Sequence, residues 1–498
     1  MIAMLWKADF LPEVLDTMAL EHLEPHGVFG FFEQLCAIPP GSGNTKAISD
    51  WCVDFARARG LEHYQDALNN VIIIAPASPG YETAEPVILQ GHLDMVCATA
   101  PDCDKDMGRE GLDLFVDGDW IGARGTTLGG DDGIAVAMAL AILDDPSLPH
   151  PRLEAVLTVD EETGLYGAAG LDVSPLQSRT LINLDSEEEG VFTVACAGGA
   201  RVTLRWTPET ETLRLLPLTL EVSGLLGGHS GVEIDKGRGN ANILMGRVLR
   251  ALSRQCSLYL VEGHGGTADN VIPLGCVAKV AVMPEDADAV LAAVEEMDAA
   301  FRQEFAASDP GVSLRASLEA ETELQVLRAE DSRKIVQALA TVPNGVQEMS
   351  RSIPGQPETS CNLGVLRLDG AQAQLHFSVR SSVASRKAMI IDKLLCLGEL
   401  TGAATQVAGD YPAWEYRAQS PLRERMVRVF QAQYGKAPLV LSIHAGLECG
   451  LLGEKLPGLD AVSMGPDMRD IHTAGERLSI SSVQRIWQFL LEVLKESR

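Results

Sequence analysis

The sequence predicts an α/β domain, a mixed sheet flanked by helices, into which a second, α+β domain is inserted. Three observations carry this. Apolar, β-prone runs at 87–89, 153–159 and 180–184 are separated by helical patterns, the alternation of an open α/β sheet. From about 200 to 402 the texture changes to strands such as 216–222, 277–282 and 375–379 with amphipathic helices between them, 288–305 being the clearest; this predicts an antiparallel sheet layered with helices. After Tyr411 the first texture returns. At 498 residues the chain is also too long for one ordinary core. The expected division is 1–199 and 406–498 for the first domain and 200–405 for the insertion.

In chain order, residues 28–58 read as two helices flanking Ile38-Pro39-Pro40-Gly41-Ser42-Gly43, whose prolines and glycines forbid a continuous helix. Short buried strands follow at 71–74 and 86–89, the second leading into Gly91-His92-Leu93-Asp94. At the carboxyl end of a strand, where open α/β sheets place their ligands, His92 and Asp94 can point into one crevice. A capped strand end would carry the same residues. Residues 99–119 read as a charged loop. The segment from Gly122 to Gly133 then opens a helix over 134–143 that is apolar on every side, and such a helix must be buried. Asp131 and Asp132 stand at its amino terminus, as cap and dipole partners or as ligands.

The strand at 153–159 ends in Asp160-Glu161-Glu162-Thr163-Gly164, and that at 180–184 in Asp185-Ser186-Glu187-Glu188-Glu189. In the latter, Asp185 is the ligand candidate and the glutamate run a solvated face. After the insertion come a helix over 421–434, strands at 439–443 and 461–464, a loop at 465–469, His472 and a closing helix over 481–495.

The formal net charge of −29 argues against nucleic acid or an anionic membrane as a partner, because phosphate binding needs basic surface. Ten cysteines without a C-x-x-C pair, most of them in apolar runs, read as reduced thiols. No apolar run has the length of a membrane span, and the first 25 residues carry acidic side chains that a secretory signal would exclude. A cytoplasmic protein is expected.

His92, Asp131, Glu162, Asp185 and His472 amount to two neutral imidazoles and three carboxylates, ligand types that zinc, cobalt and manganese accept. Three carboxylates in one crevice would repel one another unless cations lay between them. Two divalent ions would offset that charge, polarise a carbonyl and activate water. Something must take the water's proton, and Glu161, beside Glu162 but not needed as a ligand, is the natural general base.

These motifs, with Gly130-Asp131-Asp132-Gly133 and Asn183-Leu184-Asp185-Ser186-Glu187, resemble the zinc-peptidase family that includes carnosinase, carboxypeptidase G and aminoacylase. Within that family, residues 181–190, Gly227-Gly228-His229-Ser230-Gly231, Gly239-Asn240-Ala241-Asn242 and His444-Ala445-Gly446-Leu447-Glu448-Cys449-Gly450 are similar to its aminoacyl-histidine dipeptidase branch, the cytosolic non-specific dipeptidases. The similarity spans nearly the whole chain.

The resemblance implies a zinc-peptidase catalytic domain with an inserted lid/dimerisation domain. It also implies hydrolysis of dipeptides, Xaa-His and broader, by water activated between two zinc ions, with cobalt or manganese as substitutes. Asp131 would bridge both ions, His92 and Asp185 would complete one, and Glu162 and His472 the other. Asp94 would orient His92 from behind, and Glu161 would be the catalytic base. In the insertion, His229 would stabilise the oxyanion, in relatives by reaching across a dimer. Asn270 and Arg380 would contact the substrate, Arg380 through its carboxylate. The implied partners are a small peptide and a second copy of the chain, with neither nucleic acid nor membrane.

Taken by themselves, His229 in its glycine-rich turn could be exposed, Arg380 a surface salt bridge, and His444 loop structure or a group behind the ligands. His22, His26, His63, His150, His264 and His376 read as structural or solvated. Asp132 departs from the branch, which often has asparagine there, and an amino-terminal extension has no counterpart in it. One competing reading is an N-acyl-amino-acid deacylase or carboxypeptidase on the same scaffold; as a family trait, Asp185 in place of glutamate favours a dipeptidase or aminopeptidase. The other is a non-catalytic binding relative, whose mark would be a lost base or ligand, and none is lost.

Overall fold

The protein is described by a computed structural model that covers residues 19–39 and 41–498. Most of the amino-terminal extension lies outside the described residues. By its contacts the chain forms two compact units. One runs to Phe192 and takes up Ser420–Leu439 and Leu456–Arg498; the other is Thr193–Gln419 with Val440–Lys455.

In the first unit six strands lie side by side in the order Glu62–Gln65, Val71–Ala75, Leu153–Thr158, Val87–His92, Thr180–Asn183 and Asp460–Ser463. The first two joins are antiparallel and the other three parallel, which makes the sheet mixed as expected. Parallel strands are covered on both faces, so they read as mostly apolar runs without alternation; Val87–His92 and Leu153–Thr158 are buried at every position, Gln90 and Glu154 included. In register, His92 stands opposite Thr158, Gln90 opposite Asn183, and Asn183 opposite Ser463. All four parallel strands therefore release their following loops from one edge.

The helix that opens near Gly130 spans Gly130–Asp144, and every residue from Ile134 to Leu143 is buried. Glycines permit this on the side of helix His26–Cys36: a Cβ on Gly133 would lie 3.3 Å from the Phe32 ring, and one on Gly27 3.5 Å from the Cβ of Ala141. Residues 99–119 are not wholly a loop. Leu114–Asp117 forms a hairpin with Trp120–Ala123, and Arg477–Ser479 and Met468–Arg469 extend it to a four-stranded sheet. The short strand Leu114–Asp117 lies among acidic residues that hide its pattern, yet this sheet frames the loop carrying His472.

The second unit is built on a ten-stranded sheet whose pairings among the described residues are antiparallel. Helices Ala241–Leu252, Ala287–Glu304, Ala329–Thr341 and Ala384–Thr401 cover it through a core that includes Val202, Leu220, Val248, Phe301 and Phe377. The expected antiparallel sheet layered with helices is present. Asn240 starts the first of these helices, its side chain accepting the N–H groups of Asn242 and Ile243. Ala404–Tyr411 pairs with Gly198–Trp206, so this sheet extends past the boundary expected at 405. Residues 440–455 also belong to this unit, a return too short to change the local texture of the sequence.

Among the described residues no helix is long and apolar enough to cross a membrane. All ten cysteines are free, and six of them (Cys36, Cys52, Cys196, Cys276, Cys361 and Cys449) are buried. Burial pushes the Cys52 thiol up to about 12, which keeps it protonated and unreactive.

Candidate active site

Within the first unit, the expected metal ligands converge at the carboxyl edge of the parallel strands. His92 ends Val87–His92, Glu162 follows Leu153–Thr158, and Asp185 follows Thr180–Asn183. His472 sits between Met468–Arg469 and Arg477–Ser479, after Asp460–Ser463. Asp131 comes from the kinked start of Gly130–Asp144, where Asp131 and Asp132 are not helical.

The two oxygens of Asp131 face different partners. Oδ1 lies 3.1 Å from His92 Nε2, and Oδ2 lies 3.1 Å from His472 Nε2. His92 Nε2 is also 3.7 Å from Asp185 Oδ1, and His472 Nε2 is 3.0 Å from Glu162 Oε1. Two triads, His92–Asp131–Asp185 and His472–Asp131–Glu162, thus share one carboxylate. Ligand atoms about 2.0–2.1 Å from a tetrahedral ion stand roughly 3.3 Å from one another, and these separations scatter around that value. Ligand atoms of His92, Asp132 and Asp185, and of His92, Asp131 and Glu162, also gather within 4.8 Å.

The electrostatics call for cations. Burial opposes a charge on His92, but the Asp131 and Asp185 carboxylates hold its pKa well above the usual imidazole range. Hydrogen bonds to Asp131 and Glu162 push His472 up to about 10. Asp185 is pushed up to about 6, by burial first and then by the charges of Asp131 and Glu162. Asp131 is held low despite its burial, because an imidazole faces each of its oxygens. Carboxylates crowded in this way around two imidazoles favour positive charge among them. The donor set and spacing of the crevice fit divalent ions.

Backbone strain is concentrated in the same loops. Asp160, Asp470 and His472 adopt positive φ of 53°, 51° and 61°, a region that costs a residue with a Cβ about 1–2 kcal/mol. Such outliers persist where the surrounding structure imposes them, and they mark functional sites.

Asp94 supports the crevice differently from expectation. His92 Nδ1 donates to the main-chain oxygen of Asp94 at 2.8 Å, while the nearest Asp94 carboxylate oxygen is 3.6 Å away. That carboxylate instead accepts Ser42 Oγ–H at 2.7 Å and the Glu161 N–H at 3.1 Å. Asp94 therefore fixes the His92 ring through its backbone and the main chain of Glu161 through its side chain. Of the adjacent glutamates, Glu162 reaches the imidazole of His472, and Glu161 is half-buried beside it. Asp132 Oδ2 accepts the His92 N–H at 3.1 Å, a contact the carbonyl oxygen of an asparagine could equally make. The glutamate run is not uniformly solvated. Glu187 and Glu188 are exposed, whereas Glu189 is half-buried and pairs with Arg485 at 2.6 Å.

The second unit holds His229, Asn270 and Arg380. Gly228–His229 pairs with Val271–Ile272, placing His229 opposite Val271. Its ring is half-buried, and Nδ1 accepts the N–H groups of Gly231 at 3.2 Å and Val232 at 3.3 Å. These bonds fix the tautomer that carries its proton on Nε2. Burial, and then the charge of Arg380, lower its pKa, so His229 offers one neutral N–H donor. Asn270 is exposed, and its main-chain oxygen accepts the Ser230 N–H at 2.8 Å. Both ends of the loop that carries His229 are clamped by the buried Asp309, which accepts the N–H groups of Leu226 and Gly239, each at 2.8 Å.

Arg380 stands opposite Ser360 in the sheet, and Nη1 donates to the Tyr411 hydroxyl at 3.1 Å. Its Nε is buried without a hydrogen-bond partner among the described residues. His444 is buried with Nε2 2.7 Å from Ser360 Oγ; its burial and the charge of Arg380 push it down to about 3. A guanidinium with two neutral imidazoles in its field makes an electropositive corner suited to a carboxylate. Sequence reasoning missed Ser42, Asp309, Ser360, Tyr411 and Glu476. Ser42 lay in a segment recognised only as a turn, and none of the others falls in a pattern of spacing.

Residues 220–309 match the peptidase dimerisation domain family. The cytosol non-specific dipeptidase of Escherichia coli is 36% identical to this chain over 479 residues, covering 96% of this chain and 99% of its own length. The crystal structure of aminoacylhistidine dipeptidase from Vibrio alginolyticus is similar with a TM-score of 0.91 at 34% identity, over 96% of this chain and 98% of that one. Aminopeptidase PepT from Bacillus cereus, 15% identical with a TM-score of 0.56 over 95% of this chain and 99% of that one, shares the fold.

Proposed function

The chain belongs to the family of the cytosol non-specific, or aminoacyl-histidine, dipeptidases, hydrolases acting on peptide bonds, and from that premise we propose that it cleaves Xaa-His and broader dipeptides with two divalent ions, zinc foremost and cobalt or manganese as substitutes. The observation that carries the reading is the divided carboxylate of Asp131, with His92 on one oxygen and His472 on the other. His92 and Asp185 would hold one ion, His472 and Glu162 the other, and Asp131 both. When bound, the ions polarise the scissile carbonyl and make water acidic enough to be deprotonated near neutral pH.

The rest falls to the chain's own side chains. Glu161, its main chain fixed by Asp94, takes the proton from the attacking water and passes it to the leaving amine. His229 donates its Nε2 proton in a hydrogen bond to the substrate oxygen as negative charge develops there. Arg380, steadied by Tyr411, holds the carboxylate of the dipeptide, and Asn270 contacts the substrate.

The matched dimerisation domain supports a homodimer, and a monomer mass by sedimentation at micromolar concentration would refute it. The compartment in the name of the Escherichia coli relative supports a cytoplasmic location, checked by cell fractionation. The activity is tested by profiling the metal-reconstituted protein on a dipeptide library beside a set of N-acyl amino acids. Hydrolysis of free dipeptides is expected; turnover of the acyl compounds with none of the dipeptides would replace this reading with a deacylase.

A further inference from the structure

Glu476 makes an arrangement for which the mechanism above has no use. It follows His472 by four residues on the same loop and is 2% exposed. Its carboxylate collects main-chain N–H groups from successive residues: Oε2 accepts from Leu128 at 2.7 Å and Gly129 at 3.1 Å, and Oε1 from Gly130 at 2.8 Å and, at the long limit of 3.4 Å, from Asp131. These donors belong to the turn entering helix Gly130–Asp144, where the helix itself leaves N–H groups without partners. The turn is packed to contact on both sides. A Cβ on Gly129, whose φ is 68°, would lie 2.6 Å from Met95 Sδ, and one on Gly130 would lie 3.2 Å from Glu476 Oε1. One buried carboxylate therefore ties the segment bearing His472 to the segment bearing Asp131.

We infer that Glu476 is a positioning residue for the candidate metal site: by holding residues 128–131 against the His472 loop it sets the separation of Asp131 and His472, and so pre-forms the His472–Asp131–Glu162 triad for a cation. This rests on the two-ion reading above. Groups that orient metal ligands from behind are worth roughly 10- to 100-fold in metal affinity. Glu476→Gln keeps the shape but turns an amide NH₂ toward main-chain N–H donors, and Glu476→Asp withdraws the carboxylate by one methylene.

The test is chelator competition for both ions in each variant and in the unaltered protein, with the absorption spectrum of the cobalt form. Thermal unfolding of the metal-free proteins serves as the control for folding. The expected result is that one of the two ions binds about 10- to 100-fold more weakly, with altered cobalt bands, while kcat recovers at saturating metal. A folded variant that binds both ions with unchanged affinity and spectrum overturns the proposal, whatever its melting temperature. If Glu476→Gln does not fold, Glu476→Asp carries the test alone. Failure of the unaltered protein to bind any ion would overturn the two-ion reading, and this proposal with it.

Discussion

Glu161→Gln is expected to keep its full metal content and to lose about 10²- to 10⁴-fold in kcat, the contribution of a single positioned base. The expectation comes from the division of labour between neighbours. Glu162 stands 3.0 Å from His472 Nε2 at the shared Asp131, whereas Glu161 is held through its main-chain N–H by Asp94 and is half-buried at the rim. An amide there has nearly the same shape but cannot accept a proton. Metal analysis and steady-state kinetics on the same preparation check both halves. Loss of metal from Glu161→Gln would show that the roles of the two glutamates are exchanged.

The second large effect concerns the substrate's carboxylate. Amidating a good dipeptide substrate is expected to lower kcat/KM by roughly 10²- to 10⁴-fold, because two charge-assisted hydrogen bonds at about 1.5–3 kcal/mol each are lost. Arg380 is the residue proposed for that contact. Tyr411 holds one end of its guanidinium, Nε is buried without a hydrogen-bond partner among the described residues, and His444 and His229 nearby are kept neutral. Arg380→Ala should lose most of the discrimination between acid and amide together with the activity. A matching tripeptide, with its carboxylate one residue further on, should be as poor as the amide. Equal turnover of dipeptide, amide and tripeptide would show that the carboxylate is not what Arg380 reads.

Much of the first unit was legible because its physics is local. Parallel strands buried on both faces are mostly apolar, so 87–89, 153–159 and 180–184 stood out, and the acidic residues that follow them mark the edge where ligands gather. The helix after Gly130 was equally plain, since a segment apolar on all sides has nowhere to go but inside. The strand Leu114–Asp117 was missed because its few residues sit among charges, and the boundary at 405 fell short because Ala404–Tyr411 pairs with a strand some two hundred positions earlier in the chain.

Within the site, the candidate ligands could be named from strand ends, but their sorting into two triads came only from the family resemblance. No spacing reveals that Asp131 turns one oxygen to each histidine. The supporting residues were invisible for the same reason. Ser42 reaches Asp94 across 52 positions, and Glu476 gathers its donors across 345 to 348, so neither leaves a periodic trace in the sequence.

The dependence of hydrolysis on ions held around Asp131 is tested most directly by following metal content and dipeptide turnover in the same samples while metal is withdrawn and returned. Activity should vanish with the metal and come back as two equivalents of zinc, cobalt or manganese per chain are restored. Full activity in protein verified to be free of metal would contradict it.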